Sequence, residues 1–175
     1  TTSVRIEDYS AGHTGLYRFF TSLNRLRSLN RPVRIAFLGD SFIEGDIIVA
    51  DFRAKMQERF GGRGVGFVPV ASKVEQYRPT VHQRSKGWVT RSILTDRNHK
   101  YVLPGLLFDA DSEAGIASIS FKTVDAYPHL DAVSSLKFIY SRNMQSEIRW
   151  ICNQSKDTIV NMLPTTDSIV QYEVK

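Results

Sequence analysis

Val33-Arg-Ile-Ala-Phe-Leu-Gly-Asp-Ser-Phe-Ile-Glu-Gly-Asp46 is the stretch on which the fold turns. Its first six residues, Val33 to Leu38, are mostly apolar and are bounded by Pro32 and Gly39. A short apolar run between such breakers reads as a buried strand of a parallel sheet. A second helix follows from about Asp46 to Phe60, with Ile48, Val49, Phe52, Met56 and Phe60 on one face and Asp46 placed to cap it. Gly61-Gly62 stops that helix. Upstream, after a lead from Glu7 to Gly15, Leu16, Phe19, Phe20, Leu23 and Leu26 recur at helical spacing, and Asn30-Arg31-Pro32 ends the pattern. Residues 12–70 thus alternate helix and strand, with Gly64 to Val70 leading to a possible further strand.

The period changes near residue 70. From about residue 75 it is two, and no helical period of useful length follows Phe60. Trp88 to Leu94, Gly115 to Val124, Ser134 to Arg142, Glu147 to Cys152 and Ser168 to Val174 alternate or are rich in β-branched and aromatic residues. Turn signals separate them at 109–115, 125–128, 153–157 and 164–167. Short strands at this spacing suggest a β-sandwich or jelly roll. The expected class is therefore α/β over residues 1–72, joined to an all-β domain over 73–175.

Composition sets outer bounds. Hydrophobic residues make up 42% of the 175, enough to bury a core, and no run approaches the roughly 18 apolar residues of a membrane span. One cysteine, Cys152, excludes an internal disulfide framework and a cysteine-rich zinc site. The chain opens on Thr1, as in a chain trimmed at its start or a mature chain without its leader, which leaves the compartment open. Net charge is +5, and residues 1–100 carry 17 Lys/Arg against 9 Asp/Glu. The cations are scattered among apolar residues without a run or a recognition motif, so no nucleic-acid partner is expected.

One segment carries chemistry. Ser41 sits directly after the expected strand and just before a helix, where unpaired N–H groups can face an oxyanion. Gly39 lets the chain turn without a Cβ in the way. The alternating Gly-x-Ser-x-Gly elbow is not matched, because Gly39 lies two residues before Ser41 and Gly45 four after. The stretch from Val33 to Asp46 resembles the first block of the GDSL/SGNH hydrolases. That resemblance implies Ser41 as nucleophile, its backbone N–H as an oxyanion donor, Gly39, Asp40 and Gly45 as support for the turn, and a three-layer, flavodoxin-like α/β unit of which this would be the N-terminal part. The continuation from Phe52 to Val68 is similar to a secreted branch of Bacteroidetes type, in which a β-rich, carbohydrate-binding-like domain interrupts the hydrolase domain. The resemblance covers about a quarter of the chain. It implies a serine esterase or acyl transferase, with no cofactor, acting on O-acetyl or similar esters of an extracytoplasmic glycan.

The rest of the family's machinery is not evident. No Gly-x-Asn-Asp occurs. Asp96-Arg97-Asn98-His99 fits the family's Asp-x-x-His block, which supplies base and orienting carboxylate, but it lies between two β segments, where turn residues in a surface loop explain it more simply. His13, His82 and His129 have no better claim. A serine without a base is a weak nucleophile. The chain alone is thus expected to be inactive or nearly so, an N-terminal piece whose sheet is completed by further sequence or by another chain.

Blander readings stand beside these. Gly39-Asp40-Ser41 can be a simple helix-capping turn. Asp40 and Asp46 read as caps rather than metal ligands, since no His or Cys joins them at ligand spacing, and no metal is expected. Trp88, Tyr101, Tyr127, Tyr140 and Trp150 could stack on sugar rings or fill a core, and Met144 and Met162 read as packing. The rival class is a non-catalytic module whose residues 75–175 hold a polysaccharide while the Ser41 segment is only scaffold.

Overall fold

The computed structural model describes residues 7–29, 31–101, 104–141, 144–152, 155 and 157–174. Asn30, Arg142, Asn153, Gln154 and Lys156, which fall in the expected turns and strand ends, lie outside the described residues. Among the described residues four α-helices come first: α1 (Tyr17–Asn24), α2 (Leu26–Leu29), α3 (Ser41–Glu44) and α4 (Val49–Phe60). Eight strands follow among the described residues: β1 (His82–Lys86), β2 (Trp88–Ser92), β3 (Leu106–Ala110), β4 (Ser118–Lys122), β5 (Leu136–Tyr140), β6 (Ser146–Ile151), β7 (Thr158–Leu163) and β8 (Val170–Val174). The molecule is β-rich, and its described strands pair as four small antiparallel sheets, β1–β4, β2–β3, β5–β8 and β6–β7.

The chain divides into two compact units, Thr1–Ala132 and Val133–Lys175. The boundary expected at 72/73 falls inside the first. What ties residues 120–132 back to the loop after α4 is long-range contact. Gly64 N–H donates to the His129 carbonyl (3.0 Å), Arg63 pairs with Asp131 (3.0 Å), and Val124 and Leu130 are buried. With Leu23, Val49, Ala50 and Val81 they form the apolar part of this unit's core.

In the first unit β1 runs through Gly87 into β2, and β3 through residues 111–117 into β4, so the two ribbons are nested. Gly87 has φ +74°, and a Cβ there would lie 2.8 Å from the Ile116 carbonyl oxygen, so the looped-out segment closes over a position only glycine fills. β1 is entirely polar, yet Gln83 and Ser85 face inward opposite Phe121 and Ile119. The second unit repeats the nesting, with β6–β7 inside β5–β8. Leu136, Phe138 and Tyr140 share one half-buried face with Val170, Tyr172 and the buried Val174, and Lys137 pairs with Glu173 on the other (3.7 Å).

Two local expectations are corrected. Residues 33–38 are not a strand: they have no strand partner among the described residues, and Leu38 is 85% exposed. An extended run enters a parallel sheet only where a neighbour supplies the ladder, and none of the described strands does. On α4 the expected apolar stripe is inward only in part: Val49 is buried and Met56 and Phe60 are half-buried, but Phe52 and Ile48, just before the helix, are exposed, while Ala50, Arg53 and Gln57 also face in. Polar groups decide that orientation, as follows.

Candidate functional site around Ser41

Asp40 caps α3. Its carboxylate accepts the Phe42 N–H (3.0 Å), and its carbonyl accepts those of Ile43 and Glu44. Ser41 is the first residue of the turn, its side chain exposed. Neither its hydroxyl nor its backbone N–H has a hydrogen-bond partner among the described residues. Gly39 is needed for space rather than dihedral freedom, since a Cβ would lie 2.7 Å from Ile43 Cγ1. At Gly45 a Cβ would stand 3.1 Å from the Ser41 carbonyl oxygen.

The turn ends in a Schellman motif. Asp46 N–H donates to Ile43 O and Ile47 N–H to Phe42 O, both at 3.0 Å, with Asp46 in the left-handed region at φ +61°. Glycine usually fills that position. The reason for aspartate here is its side chain: the carboxylate, 4% exposed as a residue, takes both Arg53 Nη atoms (2.5 and 2.7 Å) and the Thr80 hydroxyl (2.5 Å). Asp46 is therefore not the cap of α4, which starts at Val49; it is the buried corner between α3 and α4.

Residues 72–80 reach back to the same corner. Ser72 Oγ donates to Glu44 Oε1 and Arg78 Nη2 to the Glu44 carbonyl, both at 2.6 Å. Arg78 is 5% exposed. Burial lowers its pKa from the ordinary arginine value, opposed by the Asp46 and Glu44 carboxylates. Tyr127 meets Asp51 on α4. Burial first, then the charge of Asp51 and a hydrogen bond to it, push its phenol above the usual tyrosine value.

Asp96 and His99 do meet, with Nε2 at 3.2 Å from Oδ2. Arg91 and the Tyr101 hydroxyl, which donates to the Asp96 carbonyl (2.6 Å), complete their surroundings. His99 and Tyr101 line a groove of about 500 Å³ with Ile93, Leu94 and Arg97. Neither Asp96 nor His99 bonds to the Ser41 hydroxyl, and among the described residues no histidine does. His13 Nδ1 contacts the Asp8 carbonyl at 2.5 Å, His82 stands on β1, and His129 serves through its carbonyl.

The remaining candidates are placed as follows. Trp88 donates to the Ser118 carbonyl and Trp150 to Asn161 Oδ1, Tyr140 lies on the half-buried face of β5, and Met144 and Met162 are exposed rather than packed. Among the described residues no three His, Cys, Asp or Glu side chains gather as a metal would require, and no helix is long and apolar enough to cross a membrane. Sequence reasoning missed Arg53, Ser72, Arg78 and Thr80. Arg53 was detectable, seven residues and two helical turns beyond Asp46; the other three act across 28 to 34 residues and leave no local signal.

No protein-family model, no curated protein and no solved structure matches the chain.

Proposed function

We propose that Ser41 is the nucleophile of a GDSL/SGNH-type serine esterase that removes acyl groups, O-acetyl in the first instance, from an extracytoplasmic glycan. The observation that carries it is the Gly39-Asp40-Ser41 turn: an exposed hydroxyl on a capped, braced turn, in the sequence context of residues 33–68. The Ser41 oxygen attacks the ester carbonyl, its proton passes to a base, and the base returns that proton to the sugar oxygen as the C–O bond breaks and the sugar hydroxyl leaves. Water, or a second sugar hydroxyl, then resolves the acyl-enzyme. The free Ser41 N–H is the oxyanion donor this chain offers.

The base comes from outside residues 1–175, in the same polypeptide or in a partner, because no imidazole reaches Ser41 among the described residues. General-base help is worth about 10²–10⁴-fold, so these residues alone turn over esters poorly. The same outside segment supplies parallel strands beside residues 33–38, where Ile35, Phe37 and Leu38 stand exposed, completing the α/β unit. The ribbons that follow belong to a carbohydrate-binding β domain inserted in the hydrolase.

The lack of a neighbouring imidazole also favours a second reading, a glycan-holding module without catalysis. A serine-directed phosphonate and the Ser41→Ala variant separate the two in the full-length protein. The esterase reading expects a single adduct on Ser41, and turnover lost with glycan retention kept in the variant. Full activity in Ser41→Ala rejects it.

A further inference from the structure

We infer that Arg78 and Ser72 are positioning residues for the Ser41 turn, an inference that rests on Ser41 being the nucleophile. A single helical turn does not hold its shape alone, because nucleation fixes several dihedral angles for one hydrogen bond. Here residues 72–80 grip the turn's far end at three atoms. Ser72 holds Glu44 Oε1, Arg78 holds the Glu44 carbonyl, and Thr80 holds the Asp46 carboxylate. The Glu44 carbonyl is one of the acceptors a helix end leaves unpaired, and a buried guanidinium meets it. Ser72 is itself fixed, accepting the Val74 N–H at 3.1 Å. The grip thus lies just before β1, outside the segment that carries the nucleophile. It sets where the Ser41 oxygen stands relative to anything bound in front of it.

Two variants test this in the full-length protein. Arg78→Lys keeps the charge and loses the planar fork; Ser72→Ala deletes one hydroxyl at a partly exposed contact and carries the test if Arg78→Lys does not fold. The expected result is at least tenfold faster amide exchange at Gly45, Asp46 and Ile47, with β1–β4 amides unchanged. Ester turnover should fall in kcat by about 10²-fold for Arg78→Lys, as a misplacement near 1 Å does, with KM held within about twofold. Turn amides that do not move, or equal acceleration across the whole unit, overturn the inference, the latter by making Arg78 a general stabiliser. An unchanged kcat with loosened turn amides also overturns it. If Ser41→Ala keeps its activity, the nucleophile assignment has failed, and the exchange arm still reports separately whether the grip holds the turn.

Discussion

Asp46 carries a left-handed backbone that costs a non-glycine residue of order 1 kcal/mol, and its carboxylate is what makes the position worth keeping. Asp46→Asn tolerates the same dihedral angles but leaves Arg53 without its counter-charge. It is expected to lower stability by about 3 kcal/mol, read as a shift in the urea midpoint. Asp46→Gly relieves the backbone and should destabilise nonetheless; a midpoint equal to or above that of the parent would show that the ion pair contributes little. Gly39→Ala should cost about 1–3 kcal/mol through the clash with Ile43, and Ile43→Ala in the same chain should recover part of it, giving a non-additive double-mutant cycle. At Tyr127 the folded state favours the neutral phenol. Its contribution is therefore complete below the ordinary tyrosine pKa of about 10 and is lost as pH rises through the higher folded value. Urea midpoints at pH 9 and pH 11 should differ less in Tyr127→Phe than in the parent. At this scale the helix-capping turn at 40–42 was legible, because capping and turn chemistry are local. The sequence was misleading about Asp46, whose partner Thr80 lies 34 residues away.

Elements with a period were legible, and those without one were not. The alternating segments at 88–94, 115–124, 134–142 and 168–174 enclose β2, β4, β5 and β8, and that at 147–152 covers β6 from its second residue. β1, His82-Gln-Arg-Ser-Lys86, has no apolar residue to alternate and is ordered by what it faces, Phe121 and Ile119. β3 and β7 read as apolar or β-branched runs without a clean period of two. Helices α1 and α4 were anticipated, and the buried side of α4 in part, at Val49, but not the inward turn of its polar residues. The Asp46–Arg53 pair and the Gln57 amide, which donates to the Gly64 carbonyl (2.9 Å), draw the polar side inward. Gly87 is the joint on which the β1–β2 strand depends. Gly87→Ala adds a Cβ at positive φ against the Ile116 carbonyl, and a loss of about 1–3 kcal/mol is expected in thermal or urea unfolding. Unaltered stability would mean that residues 111–117 move aside freely.

Across the whole molecule, the sequence revealed a change of composition near residue 70 but not where compact units divide, because the contacts that hold residues 120–132 to the loop after α4 join segments far apart in the chain. The parallel strand at 33–38 was inferred from an apolar run between Pro32 and Gly39, and apolar character reports a demand for neighbours rather than their presence. That unmet demand, beside an exposed serine with no imidazole in reach among the described residues, is why the proposed catalysis calls for further polypeptide. The most direct measurement is mass spectrometry of the full-length protein after treatment with a serine-directed phosphonate, with ester turnover followed in parallel. One adduct is expected, on the peptide containing Ser41, with turnover lost in proportion to labelling and no adduct in Ser41→Ala. An adduct on another residue, or inactivation that leaves Ser41 unmodified, would contradict it.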